Sequence, residues 1–170
     1  MRVVTMLTAA GEAILVGANI RFGIGNSIVD NTSAGGISVG IDPATGGLKK
    51  YAHAMNCRRY TQHPTSGFTF EGFQIPGWPA VLQAALSIQR ILPFSKIAGF
   101  DICVDENGRP VLIEINGLPD LVPMEQLNGP LLANRRTLQA FAEYDLLPSQ
   151  LQRDLLNANP ATLPEMSPAS

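Results

Sequence analysis

Along the first third of the chain, apolar and β-branched residues come in short runs separated by clusters of Gly, Asn, Asp and Thr. Arg2 to Leu7 and Ala13 to Phe22 are β-prone, and Thr8-Ala9-Ala10-Gly11-Glu12 between them has the composition of a hairpin connection. After a Gly- and Asn-rich stretch from Gly23 to Gly36, which reads as loop, Ile37 to Ile41 and Leu48 to Ala54 predict two more strands. The residues between that pair, Asp42-Pro43-Ala44-Thr45-Gly46-Gly47, are turn chemistry throughout.

The pattern changes beyond Tyr60. From there to Trp78 the repeated Gly and Pro predict a long, shaped connection with a short strand at Phe68 to Phe70. Pro79 then stands where a first helical turn tolerates proline, and Val81, Leu82, Ala85, Ile88 and Leu92 recur at near-helical spacing, so a helix is expected over Pro79 to Leu92. A second helical stretch, broken at Gly129-Pro130, is expected over Met124 to Tyr144, and a short one from Ser149 to Asn157. Residues 159–170 read as a disordered Pro/Ser-rich tail, which leaves residues 1–147 as the folded unit.

Between the helices lies Ala98 to Asn116, where Asn107-Gly108 is a strong hairpin signal. A two-residue loop there sets Phe100 against Ile115, Ile102 against Ile113 and Val104 against Val111 on an apolar face. It also sets Asp101 across from Glu114 and Gly99 across from Asn116 on the other face. Strands and helices together predict an α+β fold: an antiparallel sheet of four to six strands, this hairpin near its centre, and the helices packed on one face.

Composition narrows the function. The 170 residues carry 12 Lys and Arg against 14 Asp and Glu, a net charge of −2, which argues against non-specific attraction to nucleic acid or anionic membranes. The opening apolar run is interrupted by Gly11 and Glu12 well short of a membrane span. The two cysteines, Cys57 and Cys103, form neither a disulfide framework nor a zinc motif, so a cytoplasmic setting is expected.

Directly opposed carboxylates destabilise a strand pair unless a cation or a bound proton compensates. Two readings of Asp101 and Glu114 follow. In one, they and Asn116 form an oxygen-only site suited to Mg²⁺. In the other, they line a solvated edge hairpin and pair with Lys or Arg. Under the first, Asp101→Asn is expected to relieve repulsion and stabilise the ligand-free protein. Arg21 and Arg2 read equally as strand-end surface cations, while His53 and His63 lack an identifiable catalytic partner and read as structural. Trp78 fits either stacking on a sugar or plugging the core.

Gly99-Phe100-Asp101, then Glu114, then Asn116-Gly117-Leu118-Pro119-Asp120 resembles the metal-binding end of the ATP-grasp superfamily. Arg21-Phe22-Gly23 followed by Asn31-Thr32-Ser33-Ala34-Gly35-Gly36 is similar to that family's phosphate- and substrate-contacting loop. With His63-Pro64 and Ile75-Pro76-Gly77-Trp78, the pattern is most similar to the sugar-transfer-associated, hexapeptide-transferase-like branch linked to surface polysaccharides.

The resemblance implies that Asp101, Glu114 and Asn116 hold Mg²⁺ (or Mn²⁺) on the phosphates of ATP. It further implies that Arg21 acts on the transferring phosphate or substrate carboxylate, and that Asn31, Gly35 and Gly36 cradle an oxyanion. The implied reaction is ligase-type: ATP is the co-substrate and a small carboxylate or sugar-linked substrate is activated as an acyl phosphate. The stretch corresponds to the C-terminal half of an ATP-grasp, so a partner chain or a homodimer is expected to cover the missing nucleotide-binding half. The alternative is a non-catalytic remnant or binding module that keeps the metal hairpin.

Overall fold

The computed structural model describes residues 1–25 and 35–150. The four early runs are strands with the expected bounds, β1 (Arg2–Leu7), β2 (Ala13–Phe22), β3 (Ile37–Ile41) and β4 (Leu48–Ala54), each antiparallel to the next. A short strand that the pattern does not predict, β5 (Arg59–Tyr60), pairs with β4. β6 (Ile97–Val104) runs antiparallel to β1, and β7 (Pro110–Asn116) completes a seven-stranded sheet in the order β5-β4-β3-β2-β1-β6-β7. The expected strand at Phe68 to Phe70 does not form. Thr69 makes only an isolated bridge to Gln62, and the Phe68 and Phe70 rings pack with Phe22.

The helices among the described residues include α1 (Trp78–Arg90), α2 (Leu121–Asn128) and α3 (Arg135–Glu143), with a 3₁₀ turn at Leu131–Ala133 after the expected break at Gly129-Pro130. Gly77 enters α1 with φ 70°, and Pro79 lies in its first turn. α2 starts earlier than its apolar spacing predicts because the Asp120 side chain accepts from Val122 N at 3.0 Å and caps it. The helix expected over 149–157 and the tail extend beyond the described residues.

The α+β class holds, but the placement of helices and hairpin differs from expectation. Successive residues of β1 enter different cores. Val3 packs in a cluster with Trp78, Val81 and Ala85 of α1, while Val4 packs in a second cluster with Met124, Leu131 and Ala140. Neighbouring residues in a strand point to opposite faces, so the helices cover both faces rather than one. That is why β1 is apolar at consecutive positions. The hairpin, expected near the centre, lies at the margin: β7 is an edge strand, and its Ile113 is 68% exposed.

The hairpin register is as expected at its open end, Gly99↔Asn116, Phe100↔Ile115 and Asp101↔Glu114, and shifts by one below a bulge, to Ile102↔Leu112 and Cys103↔Val111. The cause is the turn. Gly108 alone takes a positive φ there, 76°, and the Asp105 carboxylate accepts from the amides of Asn107 at 2.9 Å and Arg109 at 2.8 Å, closing a longer loop than the two-residue turn.

α2 lies close over β2 and β3 because glycine occupies the contact positions. A Cβ on Gly40 would stand 2.5 Å from the Leu127 carbonyl oxygen, a backbone atom that only movement of the helix relieves. Gly40→Ala is therefore expected to cost about 1–3 kcal/mol of stability, measured by urea denaturation. Lys49 Nζ donates to Asn128 O at 2.9 Å and ties down the same C-terminal end of the helix.

Candidate functional site

Where α2 stops covering the sheet, polar side chains replace apolar ones on that face. The register sets Asp101 of β6 between Glu114 of β7 and Arg2 of β1, and Arg2 opposite Asn19 of β2. A second row runs Arg21 of β2, Ser38 of β3 and His53 of β4, each opposite the next. With α2 as a wall, Arg2, Asn19, Arg21, Ser38 and His53 line a groove of about 370 Å³, and Asp120 and Gln126 contribute polar groups from the helix side.

Asp101 is 7% exposed and doubly clamped. Arg2 donates through Nε to Oδ1 at 2.5 Å and through Nη2 to Oδ2 at 2.9 Å, a fork matched to a carboxylate. Arg21 Nη2 donates to Oδ2 at 2.8 Å. Burial alone would raise the Asp101 pKa, but the hydrogen bonds and charges of Arg2 and Arg21 outweigh it and hold the carboxyl below its ordinary value. The Arg2 pKa is raised, first by its hydrogen bond to Asp101. The compensating cation that the opposed carboxylates require is thus supplied by two arginines.

The sequence-derived residues divide accordingly. Arg21, Asp101 and Glu114 come together, with Glu114 exposed beside the clamp. Asn116 is two residues along β7, and its Oδ1 accepts from Leu118 N at 3.0 Å. Gly35, with φ 95°, and Gly36 lie elsewhere, in a second cleft of about 240 Å³ that shares Ala54 and Met55 with the groove. Asn31 lies outside the described residues. Sequence reasoning missed Arg2 and His53 as members of the site. His63, in contrast, is structural as expected: its Nε2 lies 2.7 Å from Gly23 O, and its Nδ1 accepts from the amides of Thr65 and Ser66.

The donor set can be tested for a divalent cation. An ionised Asp offers about four lone-pair positions, and the guanidiniums take three of them on Asp101. One remains on Oδ1, and Glu114, opposite Asp101 on β7, and Asn116, two residues further along, carry further oxygens on the same strand. These oxygens fit Mg²⁺ in kind. The charges of Arg2 and Arg21 balance those of Asp101 and Glu114, so the cluster has no excess negative charge for a bare cation. Among the described residues no group of three or more His, Cys, Asp or Glu could hold a metal ion.

The seven-stranded antiparallel sheet with its helices is consistent with an ATP-grasp-like domain of the α+β class. A family model described as sugar-transfer associated ATP-grasp matches residues 1–142, and the chain belongs to that family. It is therefore an ATP-binding, ligase-type domain of the branch that the motifs resemble. No curated protein and no solved structure matches the chain. Among the described residues no helix is long and apolar enough to cross a membrane.

Proposed function

We propose that this domain takes a Mg²⁺–ATP complex at the Arg2–Asp101–Arg21 cluster and activates a carboxylate as an acyl phosphate for cytoplasmic surface-polysaccharide synthesis. The observation that supports this reading most is the balance of charge. A cation or an anion entering alone upsets two guanidiniums set against two carboxylates, whereas a pair of Mg²⁺ ions with the fully ionised triphosphate of ATP preserves neutrality. Mg²⁺ characteristically combines one or two carboxylates with substrate phosphates and water. Asp101, Glu114 and Asn116 would hold it, and when bound it neutralises charge on the phosphate oxygens.

The remaining chemistry falls to the chain itself. Arg21 lines the groove and, beyond the Nη2 bond to Asp101, keeps further guanidinium donors for the transferring phosphoryl group or the substrate carboxylate. A substrate carboxylate oxygen attacks the γ-phosphorus, and the bond from that phosphorus to the bridging oxygen breaks, releasing ADP. A nucleophile, such as an amine, then attacks the acyl carbon, loses its proton and expels inorganic phosphate. Positioning and charge neutralisation are what the protein contributes to such a transfer. The resemblance assigns an oxyanion cradle to Asn31, Gly35 and Gly36, of which Gly35 and Gly36 line the second cleft beside the groove, and a second subdomain, from a partner chain or a second copy, would hold the adenine.

One observation favours the alternative of a binding module without turnover: three of the four lone-pair positions of Asp101 are already taken. Calorimetric titration of Mg²⁺ with a non-hydrolysable ATP analogue separates these readings. Saturable, Mg²⁺-dependent binding that is lost in Glu114→Gln is expected. Absence of binding at about 1 mM ligand, equivalent to about −4 kcal/mol, would overturn the ATP site on this chain. Mg²⁺-dependent binding without ATP consumption in the presence of candidate carboxylates and amines would favour the module.

A further inference from the structure

We propose that His53 is a neutral hydrogen-bond donor to an oxyanion held by Arg21, so that Arg21, Ser38 and His53 form one oxyanion subsite on the groove floor. This rests on the reading that the groove takes an anionic group, and it adds a residue that the family motif does not contain.

The register provides the frame. Arg21 and His53 both stand opposite Ser38, one strand to either side, on the same face. Strands are spaced about 4.8 Å apart, so the outer two backbones are about 10 Å apart, and the Arg21 guanidinium leans the other way, toward Asp101 on β6, which leaves space on the groove floor between it and the imidazole for a polyatomic oxyanion. All three residues line the groove.

Both outer residues carry a buried nitrogen without a partner, Arg21 Nε and His53 Nδ1. Such atoms are uncommon in native structures, where about nine in ten buried polar groups are paired. They have different consequences. Arg21 Nε is a donor without an acceptor. On His53, a hidden Nδ1 carrying the proton would be a second stranded donor among cations, because Arg59 stands opposite His53 on β5. The proton therefore belongs on Nε2, which leaves Nδ1 as a bare lone pair and makes the accessible nitrogen a donor.

Burial, and then the charge of Arg59, lower the His53 pKa, so the ring is neutral at neutral pH and donates from Nε2 alone. An oxyanion in the groove accepts from His53 Nε2 and from the guanidinium of Arg21 that lines the same groove. A neutral donor beside a fixed cation adds direction without adding charge, which suits a group that must release its product.

Tautomer and affinity can be measured on the 170-residue chain. The long-range ¹H–¹⁵N spectrum of the imidazoles, with His53 assigned by comparison with His53→Gln, should show Nε2 protonated and Nδ1 bare. Titration with inorganic phosphate or acetate, each in the presence of Mg²⁺, should shift the Nε2 resonance. Whichever probe binds more tightly identifies the anion as phosphoryl or carboxylate, and either preference supports the subsite.

His53→Ala should weaken that binding about tenfold, and His53→Gln, which keeps a donor, by less. A proton on Nδ1 in the free protein, or unchanged affinity in His53→Ala while Arg21→Ala loses it, would overturn the role of His53 and leave the anion groove standing. Failure of the unmodified protein to bind either probe would overturn both readings.

Discussion

Replacing Asp101 with asparagine is expected to destabilise the protein by about 3–5 kcal/mol, whereas Glu114→Gln should lie within about 0.5 kcal/mol of the unmodified protein. The repulsion argument from the sequence predicts the opposite sign for Asp101. Its reversal follows from geometry: Asp101 is the shared counterion of two guanidiniums whose side chains are only 18% and 22% exposed. An asparagine keeps one acceptor oxygen but turns an NH₂ group toward cationic donors, leaving Arg2 and Arg21 facing each other without a compensating charge. Glu114, exposed at the sheet margin, loses little when neutralised.

Protonation should imitate the substitution. The folded pKa of Asp101 lies below the unfolded carboxyl value of about 3.9, so its stabilising contribution is complete above that value and is lost as the pH falls through the lower folded one. Asp42, also lowered, acts in the same direction: burial opposes its ionisation, but hydrogen bonds from Thr45 and Ala44 outweigh that cost. Urea denaturation of both variants across the acid range checks this. The acid limb of the stability curve should flatten in Asp101→Asn and persist in Glu114→Gln. Equal stability of Asp101→Asn and the unmodified protein would show that the clamp does not hold the sheet in solution.

The strands β1 to β4 were legible because β-prone runs alternate with turn residues, a signal contained within a few positions. The carboxylate pair was legible too, since the hairpin is local and its register is correct at Asp101↔Glu114. What escaped was non-local. Arg2 and Arg21 lie 99 and 80 residues from Asp101, and nothing near either arginine separates a clamp from a surface cation. Edge position was equally hidden. Pro110 to Asn116 is as apolar as a central strand, yet among the described residues β7 has no strand on its outer side, because composition reports what a strand is able to bury and not what reaches it. The two-sided helix packing had a trace in the unbroken apolar run of β1, which suits a strand covered on both faces.

Trp78→Ala should cost about 3–5 kcal/mol and leave ligand binding by the folded protein unchanged. Of the two roles the sequence left open, stacking on a sugar or plugging the core, the structure places this ring in the core: it is 2% exposed, its Nε1 donates to Pro43 O at 3.0 Å, and it lies on the α1 side of the sheet, away from the groove. The turn that receives it has no room to spare. Gly46 has φ 74°, and a Cβ there would stand 2.5 Å from both Cβ and Cγ of Trp78. Gly46→Ala therefore combines about 1–2 kcal/mol for a left-handed backbone with about 1–3 kcal/mol for the clash. Of that clash, the contacts with Cγ and Cδ1 depend on the indole, whereas the contact with Cβ survives in Trp78→Ala. In the double variant the clash should ease in part while the backbone and Cβ costs remain, so the two substitutions should cost less together than their sum, by about 1 kcal/mol. Additive losses would mean that the indole atoms do not press on the turn, and lost ligand binding in a folded Trp78→Ala protein would return the ring to the site.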